Sequence, residues 1–133
     1  MHNTILVVED NPDCREIVRF QLLQMGYKVI EAKDGLEGVE KAISEDPDLI
    51  LMDLGLPKLN GIEATRRLSA DDRTRRVPII VHTAWQGEGP AHAALEAGAA
   101  EVLVKPAPYR VLQDRLKKFL APNAESWPEY KIG

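Results

Sequence analysis

The stretch DLILMDLGLPKLNG, residues 48–61, joins a short apolar run to an acidic residue. Leu49 to Met52 predict a strand, because a continuous apolar run of this length is typical of a parallel sheet with both faces covered. The run ends on the carboxylate of Asp53, and a loop with a proline and two glycines follows. An acid at the end of such a strand indicates a function as well as a fold.

The same alternation of short apolar runs and helical patterns continues along the chain. It predicts five βα units around a parallel sheet. The strand candidates are TILVVE (4–9), KVIEA (28–32), DLILMD (48–53), PIIVHT (78–83) and EVLV (101–104). Helices are predicted from Pro12 to just before Gly26, and over 35–45, 61–69, 87–98 and 108–120. We expect the fourth helix to start late or fray, because Gly87, Gly89 and Pro90 lie in its first turn.

The first helix has clear start and stop signals. Asn11 is its candidate N-cap, Pro12 is its first residue and Gly26 lies beyond its end. Its apolar residues recur at spacings of three and four, which predicts one buried stripe. We assign to that stripe Ile17, Phe20 and Leu23, with Val18 and Leu22 as further candidates.

Composition limits the possible classes of protein. The 133 residues suffice for one domain but not two, and 44% hydrophobic with 29% charged residues is typical of a globular protein. The net charge of −4 argues against nucleic-acid binding. No run approaches the ~20 apolar residues of a membrane helix, and no signal peptide is evident. We therefore expect a cytoplasmic location, with neither nucleic acid nor membrane as a partner.

The end of the chain differs from the rest. We expect residues 1–120 to form the domain and residues 121–133 to form a C-terminal tail, with no output domain. The prolines of the tail oppose helix continuation. Trp127 and Tyr130 would either pack back on the domain or belong to a loose segment, and the second reading is favoured because chain termini are often poorly ordered.

The carboxyl ends of parallel strands meet at one sheet edge, where doubly wound folds bind ligands. The strand candidates end there in Glu9 and Asp10, in Asp53, in Thr83 and in Lys105. Carboxylates brought this close repel one another unless a cation intervenes, and oxygen ligands suit Mg²⁺ or Mn²⁺. Such an ion, with a lysine and a hydroxyl opposite, supplies the positive charge and the hydrogen bond that a transferring phosphoryl group requires. This arrangement predicts Asp53 as a nucleophile.

With these residues, the chain resembles the response-regulator receiver domain of two-component signalling and is similar to single-domain chemotaxis regulators. The resemblance covers residues 4 to about 120. The matching motifs, in the order and spacing of the family, are VVEDNP (7–12), LILMDLGLPKLNG (49–61), VHTA (81–84) and VLVKP (102–106). The resemblance implies a flavodoxin-like α/β fold, which is a doubly wound five-stranded parallel sheet of order 2-1-3-4-5 with five helices.

The resemblance also implies a phosphoacceptor and a metal site. Asp53 would accept the phosphoryl group. The implied ligands of Mg²⁺ or Mn²⁺ are Glu9, Asp10, Asp53 and the backbone carbonyl of Gly55, with one acid acting through water.

Further implied roles concern the phosphoryl group and its donor. Thr83 would hydrogen-bond one phosphoryl oxygen and Lys105 would pair with another, while the Lys105–Pro106 bond would be cis. The implied partners are a histidine kinase or histidine phosphotransfer protein, and a downstream protein that contacts the fourth helix, fifth strand and fifth helix. The chain would be a signalling switch and not an enzyme, although it would part-catalyse its own phosphorylation and dephosphorylation.

Three positions are unusual or tune the family's chemistry. Val102 stands where the family often has a tyrosine or phenylalanine that moves inward with the hydroxyl of Thr83. Gly55 and Trp85 occupy positions that, in the family, tune the lifetime of the phosphoryl group. Gly55 has no side chain to orient an attacking water, and we expect Trp85 to cover the site.

Simpler roles exist for each residue taken alone. A strand-terminal aspartate such as Asp53 is typically a helix cap or turn former, Thr83 a locally satisfied strand residue and Lys105 a solvated lysine. Only their joint spacing favours a common site. His82 should point away from Thr83 by strand alternation, so we expect it to pack in the core.

Two other functions fit part of the pattern. A magnesium-dependent phosphohydrolase would use the same aspartyl chemistry, although such enzymes commonly carry a second acid where this chain has Gly55. A degenerate receiver that only scaffolds other proteins is the second alternative, and Val102 keeps it open.

Overall fold

The structure is a computed structural model that describes residues 3–120. Its strands are β1 (Thr4–Val8), β2 (Lys28–Ala32), β3 (Leu49–Met52), β4 (Ile79–Thr83) and β5 (Glu101–Val104). Its helices are α1 (Pro12–Gln24), α2 (Gly35–Glu45), α3 (Gly61–Ala70), α4 (Glu88–Ala97) and α5 (Tyr109–Phe119). All strands are parallel, in the order β2-β1-β3-β4-β5, which confirms the predicted fold. The predicted tail, 121–133, lies outside the described residues.

The sheet has an apolar core on each face. Residues of α1 and α5 form one core cluster with alternate sheet residues such as Ile5 and Leu51. Residues of α2, α3 and α4 form the other, with sheet residues such as Leu6 and Ile50. All four residues of β3 are buried, because helices cover both faces of this central strand. The apolar run before Asp53 is therefore explained by the layering of the fold.

The buried stripe predicted for α1 is wrong in its main members. Val18 and Leu22 are buried, whereas Ile17 and Phe20 are each 60% exposed and Leu23 is 46% exposed. Two adjacent apolar stripes run along this helix, and only one of them can face the sheet. Both stripes have the same residue spacing, so spacing alone does not show which one is buried. The prediction chose the stripe that faces outward. An exposed apolar patch on α1 is the result.

The start predicted for α4 also needs correction. The helix does not start late, because it begins at Glu88, directly after Gly87. Gly87 adopts a φ of +103°, a conformation that residues with a side chain rarely reach. Pro90 is the third residue of the helix, where a backbone N–H would have no partner within the helix in any case.

Asparagine side chains cap the first turns of α1 and α3, the helices that follow β1 and β3. The side chain of Asn11 accepts the backbone N–H of Cys14 at 3.0 Å. The side chain of Asn60 accepts the backbone N–H of Glu63 at 2.9 Å. Each cap satisfies an N–H that the helix leaves unpaired, which fixes the end of the loop at the first turn of the helix.

Gly61 lets α3 begin against the backbone that carries Asp53. Its N–H donates to the carbonyl oxygen of Leu54 at 2.9 Å. A Cβ atom at position 61 would lie 1.9 Å from the carbonyl oxygen of Asp53, so no side chain fits without a backbone shift. The sequence motif needs a glycine here because of this close approach.

We expect Gly61→Ala to destabilise the fold by about 2–3 kcal/mol, since the added methyl group overlaps backbone atoms. Urea unfolding measures the loss. The matched control is Gly89→Ala in α4, where a Cβ has no atom within 4 Å. This control should be neutral or more stable by about 0.5–1 kcal/mol, because alanine favours helices. Equal stability of the two variants would contradict the close approach at Gly61.

Candidate functional site

Three carboxylates meet at the carboxyl edge of the sheet. Glu9 and Asp10 directly follow β1, and Asp53 directly follows β3, its neighbour in the sheet. Val8 pairs with Met52 in the parallel register, so the residues after them emerge side by side. Each of the three acids offers a ligand oxygen, and these oxygens all lie within 4.8 Å of one another.

The acids differ in exposure and in hydrogen bonding. Glu9 is buried, and its Oε2 accepts the backbone N–H of Asn11 at 3.1 Å. Burial raises the pKa of Glu9 above its ordinary value, against the opposing effect of the hydrogen bonds from Lys105 and Asn11. Asp53 Oδ1 accepts the backbone N–H of Leu54 at 2.8 Å. Asp10 is exposed and lies at the solvent side of the group.

Lys105 directly follows β5 and brings its ammonium group to the carboxylates. Its Nζ donates a hydrogen bond to Glu9 Oε1 and lies 3.6 Å from Asp53 Oδ2. Burial by itself lowers the pKa of Lys105, but the hydrogen bond to Glu9 and the charges of Asp53 and Glu9 outweigh it, so the pKa is raised. The lysine therefore stays charged and offsets part of the repulsion between the acids.

The donor set fits a hard divalent cation. One ammonium group against three carboxylates leaves an excess of negative charge, which a divalent ion would balance. All the side-chain donors are oxygens, which Mg²⁺ and Mn²⁺ prefer. Gly55 lies two residues after Asp53 in the same loop, and its backbone carbonyl stays a predicted ligand.

Thr83 and Trp85 form the side of the site that β4 provides. Thr83 is buried at the end of this strand, and its Oγ1 accepts the backbone N–H of Trp85 at 3.1 Å. The indole of Trp85 packs on Gly55, where a Cβ would lie 3.4 Å from the indole Nε1. Trp85 is 46% exposed, so it contacts the loop after Asp53 with one part of its surface and solvent with the other.

The remaining predicted positions lie on or beside β5. Val102 pairs with Val81 of β4 and packs against the core cluster that α2, α3 and α4 share. The Lys105–Pro106 peptide bond is cis. The backbone N–H of Lys105 donates to the carbonyl of Thr83 at 2.8 Å, which continues the pairing of β5 with β4 up to the lysine.

Sequence reasoning missed Arg15, which lies next to the site. Its Nη1 donates to the carbonyl oxygen of Glu9 at 2.8 Å, and its Nε donates to Glu31 at 3.1 Å. Arg15 thereby ties the loop after β1 to a residue of β2. An arginine in an amphipathic helix usually indicates a solvated face, so only the tertiary contact reveals this role.

His82 is buried, as predicted, close to the site but not part of the carboxylate group. Its Nε2 has no hydrogen-bond partner among the described residues. Burial lowers the pKa of His82 to about 4, and the charge of Lys105 acts in the same direction. The imidazole is therefore neutral at pH 7.

The fold and this edge together define a doubly wound α/β protein with a cluster of three carboxylates around Asp53, whose oxygen donors fit a divalent cation. A family model for the response regulator receiver domain matches residues 5–117. The chain is 34% identical over 121 residues to the chemotaxis protein CheY1 of Helicobacter pylori, covering 90% of this chain and 98% of the relative. It is 32% identical over 120 residues to the polar-differentiation response regulator DivK of Brucella anthropi, at 90% and 98% coverage.

A solved structure supports the same assignment. The receiver domain of sensor histidine kinase PA1611 from Pseudomonas aeruginosa, with a magnesium ion in its active site cleft, aligns with a TM-score of 0.84. The sequence identity is 39%, and the alignment covers 90% of this chain and 98% of that one. This chain belongs to the response regulator receiver domain family.

Membership of this family makes the chain a component of two-component signalling. Receiver domains act as signalling switches and interact with histidine kinases or histidine phosphotransfer proteins. Among residues 3–120, no helix is long and apolar enough to cross a membrane.

The buried neutral state of His82 predicts a loss of stability in acid. Between pH 6.5 and about 4 the unfolded chain binds a proton at this residue and the folded chain does not, so stability falls as the pH falls. From pH 7 to pH 5 the contribution is about 2 kcal/mol.

Urea unfolding at the two pH values tests this. His82→Leu should lose about 2 kcal/mol less than the parent protein over this pH interval. The control is His92→Gln, which removes an exposed histidine of α4 and should follow the parent protein. A parent-like pH dependence of His82→Leu would show that His82 does not cause the loss.

Proposed function

We propose that this protein is a phosphorylation-dependent response regulator that accepts a phosphoryl group on Asp53. A histidine kinase or a histidine phosphotransfer protein would donate the group. The observation that carries the proposal is the position of Asp53, which lies within reach of two further carboxylates and 3.6 Å from the ammonium group of Lys105.

The two carboxylate oxygens of Asp53 have different partners. Oδ1 accepts the N–H of Leu54, whereas Oδ2 faces the ammonium group of Lys105. In the proposed transfer, Asp53 forms a bond to phosphorus while the bond from phosphorus to the donor's imidazole nitrogen breaks. Lys105 would then pair with an oxygen of the transferred group, which its raised pKa supports because it stays charged.

Metal binding would involve the same carboxylates. The proposed ligands of Mg²⁺ or Mn²⁺ are Glu9, Asp10, Asp53 and the backbone carbonyl of Gly55. When bound, the ion would neutralise negative charge on the phosphoryl oxygens. The magnesium ion in the cleft of the related receiver domain from P. aeruginosa supports this assignment.

Thr83 and Trp85 would act on the transferred group from the side of β4. Since the Oγ1 of Thr83 accepts the N–H of Trp85, its own hydrogen is available to donate to a phosphoryl oxygen. The indole of Trp85 packs on Gly55, and we propose that it hinders the in-line approach of water. Because Val102 stands where the family often has an aromatic residue, the inward movement of an aromatic side chain would be absent in this protein.

Output would occur through protein contact at the face of α4, β5 and α5. Leu95 of α4 is 49% exposed and Val104 of β5 is 43% exposed, which supports an apolar contact there. We propose that residues 1–120 form the receiver domain and that the protein acts in the cytoplasm. Neither nucleic acid nor membrane is a proposed partner.

A phosphohydrolase is not favoured. The position at which such enzymes commonly carry a second acid is Gly55, and the indole of Trp85 packs against it.

Phosphorylation of Asp53 can be measured by intact mass after incubation with acetyl phosphate and Mg²⁺. We expect one phosphoryl adduct in the parent protein and none in Asp53→Asn. The matched control is Asp114→Asn, which changes an exposed aspartate of α5 and should keep the adduct. An adduct that persists in Asp53→Asn would reject Asp53 as the acceptor, and no adduct in the parent protein would favour the scaffolding alternative.

The proposed shielding by Trp85 predicts faster loss of the phosphoryl group in Trp85→Ala. The expected change is several-fold, because removal of the indole opens the path for water above Gly55. Dephosphorylation after removal of the donor measures the rate. Leu95→Ala, an exposed change on α4, is the control and should decay at the parent rate. An unchanged or slower loss in Trp85→Ala would end the idea of shielding.

A further inference from the structure

Arg15 makes two contacts that no step of the proposed function uses. It is the fourth residue of α1, and its side chain is only 22% exposed, unlike that of a solvated surface arginine. Its Nη1 donates to the backbone carbonyl of Glu9 at 2.8 Å, and its Nε donates to Glu31 Oε1 at 3.1 Å. The guanidinium group therefore joins the start of α1, the loop after β1 and the strand β2.

The carbonyl that accepts the bond from Arg15 belongs to the peptide group between Glu9 and Asp10. Because a peptide group is planar, a hydrogen bond to its oxygen fixes the orientation of the whole group. This group directly precedes the Cα of Asp10, so it sets the direction in which that side chain leaves the backbone. The preceding peptide group is held by the sheet, since the N–H of Glu9 donates to the carbonyl of Ala32 at 2.9 Å.

The two acids that flank this peptide group are held in different ways. The side-chain oxygens of Glu9 accept hydrogen bonds from the ammonium group of Lys105 and from the backbone N–H of Asn11. Asp10 is exposed, and its carboxylate has no hydrogen bond or ion pair with the described residues. The position of the Asp10 carboxylate therefore depends on the backbone that carries it.

Glu31 holds the guanidinium group in place. Its Oε1 accepts the Nε of Arg15, and its backbone carbonyl accepts the ammonium group of Lys41 at 2.6 Å. In the parallel register of β1 and β2, Glu31 lies opposite Val7, two residues before Glu9. The anchor of Arg15 is thus part of the same sheet as the loop that Arg15 contacts.

We propose that Arg15 is a positioning residue of the metal site, which directs the carboxylate of Asp10 towards the ion through the carbonyl of Glu9. The inference rests on the proposed function, because it concerns the ion that these acids would hold with Asp53. Groups that orient metal ligands commonly change metal affinity by about tenfold or more when they are removed.

The charge of Arg15 alone predicts the opposite effect. A guanidinium group beside a cation site disfavours the cation, so removal of the charge by itself would strengthen metal binding. Removal would also leave the carboxylate of Glu31 without its closest cationic partner, which adds negative charge near the site. Weaker metal binding without Arg15 therefore indicates positioning and not charge.

Binding of Mn²⁺ to the full chain, measured by the electron paramagnetic resonance signal of the free ion, tests the proposal. Arg15→Met removes the hydrogen-bond donors and keeps an unbranched side chain that favours helices, so circular dichroism should show an unchanged fold. We expect Arg15→Met to bind Mn²⁺ about tenfold more weakly than the parent protein.

Arg19→Met is the matched control. Arg19 lies one turn further along α1 and pairs with the same glutamate, since its Nε is 3.8 Å from Glu31 Oε2. Within residues 3–120 it has no hydrogen bond to the loop after β1. Its removal should change the affinity for Mn²⁺ by less than about twofold, because exposed charges are screened by salt.

A double variant shows whether Arg15 acts through Asp10. Asp10→Asn should itself weaken Mn²⁺ binding, and adding Arg15→Met to it should cause little further loss, because the carboxylate that Arg15 positions is already gone. Losses that add in full would overturn the proposal, as would an unchanged or higher affinity in Arg15→Met. Those outcomes leave the metal site itself intact, whereas a parent protein that binds no Mn²⁺ would reject both that site and this inference.

Discussion

Repulsion among three carboxylates is the constraint on which this structure depends. The parallel register of β1 and β3 brings Glu9, Asp10 and Asp53 together, although their negative charges repel one another. Lys105 offsets part of the repulsion from the end of β5. The apolar core of the sheet stabilises this arrangement, because separating the acids would require strands that are buried on both faces to move. The net negative charge that remains makes this edge of the sheet suitable for a cation and for phosphoryl chemistry.

Residues outside the acidic group determine how rigidly it is held. Gly61 lets α3 start in contact with the backbone of Asp53, and Asn60 caps that helix. On the other side, Arg15 ties the carbonyl of Glu9 to Glu31 of β2. The loops that carry the acids are therefore held by contacts outside the acidic group, which favours a site with a defined geometry.

The contact between Trp85 and Gly55 joins the two positions that the family resemblance links to the lifetime of the phosphoryl group. Gly55 has no side chain, and the indole of Trp85 lies at van der Waals distance from the position that its Cβ would take. The backbone of Trp85 is also bonded to the hydroxyl of Thr83. This hydrogen bond connects a buried hydroxyl at the edge of the site to a residue whose side chain is partly exposed.

The sequence by itself determined the βα alternation, the strand order through the family resemblance, and the residue types at the carboxyl edge. These follow from local signals: apolar runs, caps, and acids placed directly after strands. Tertiary structure alone decided which stripe of α1 is buried, that Arg15 holds Glu9, and that Trp85 packs on Gly55. The physical reason is that two apolar stripes on one helix have the same spacing, and contacts between distant residues leave no periodic pattern in the chain. Only the packing of α1 and α5 on one face of the sheet selected Val18 and Leu22 and left Ile17 and Phe20 exposed.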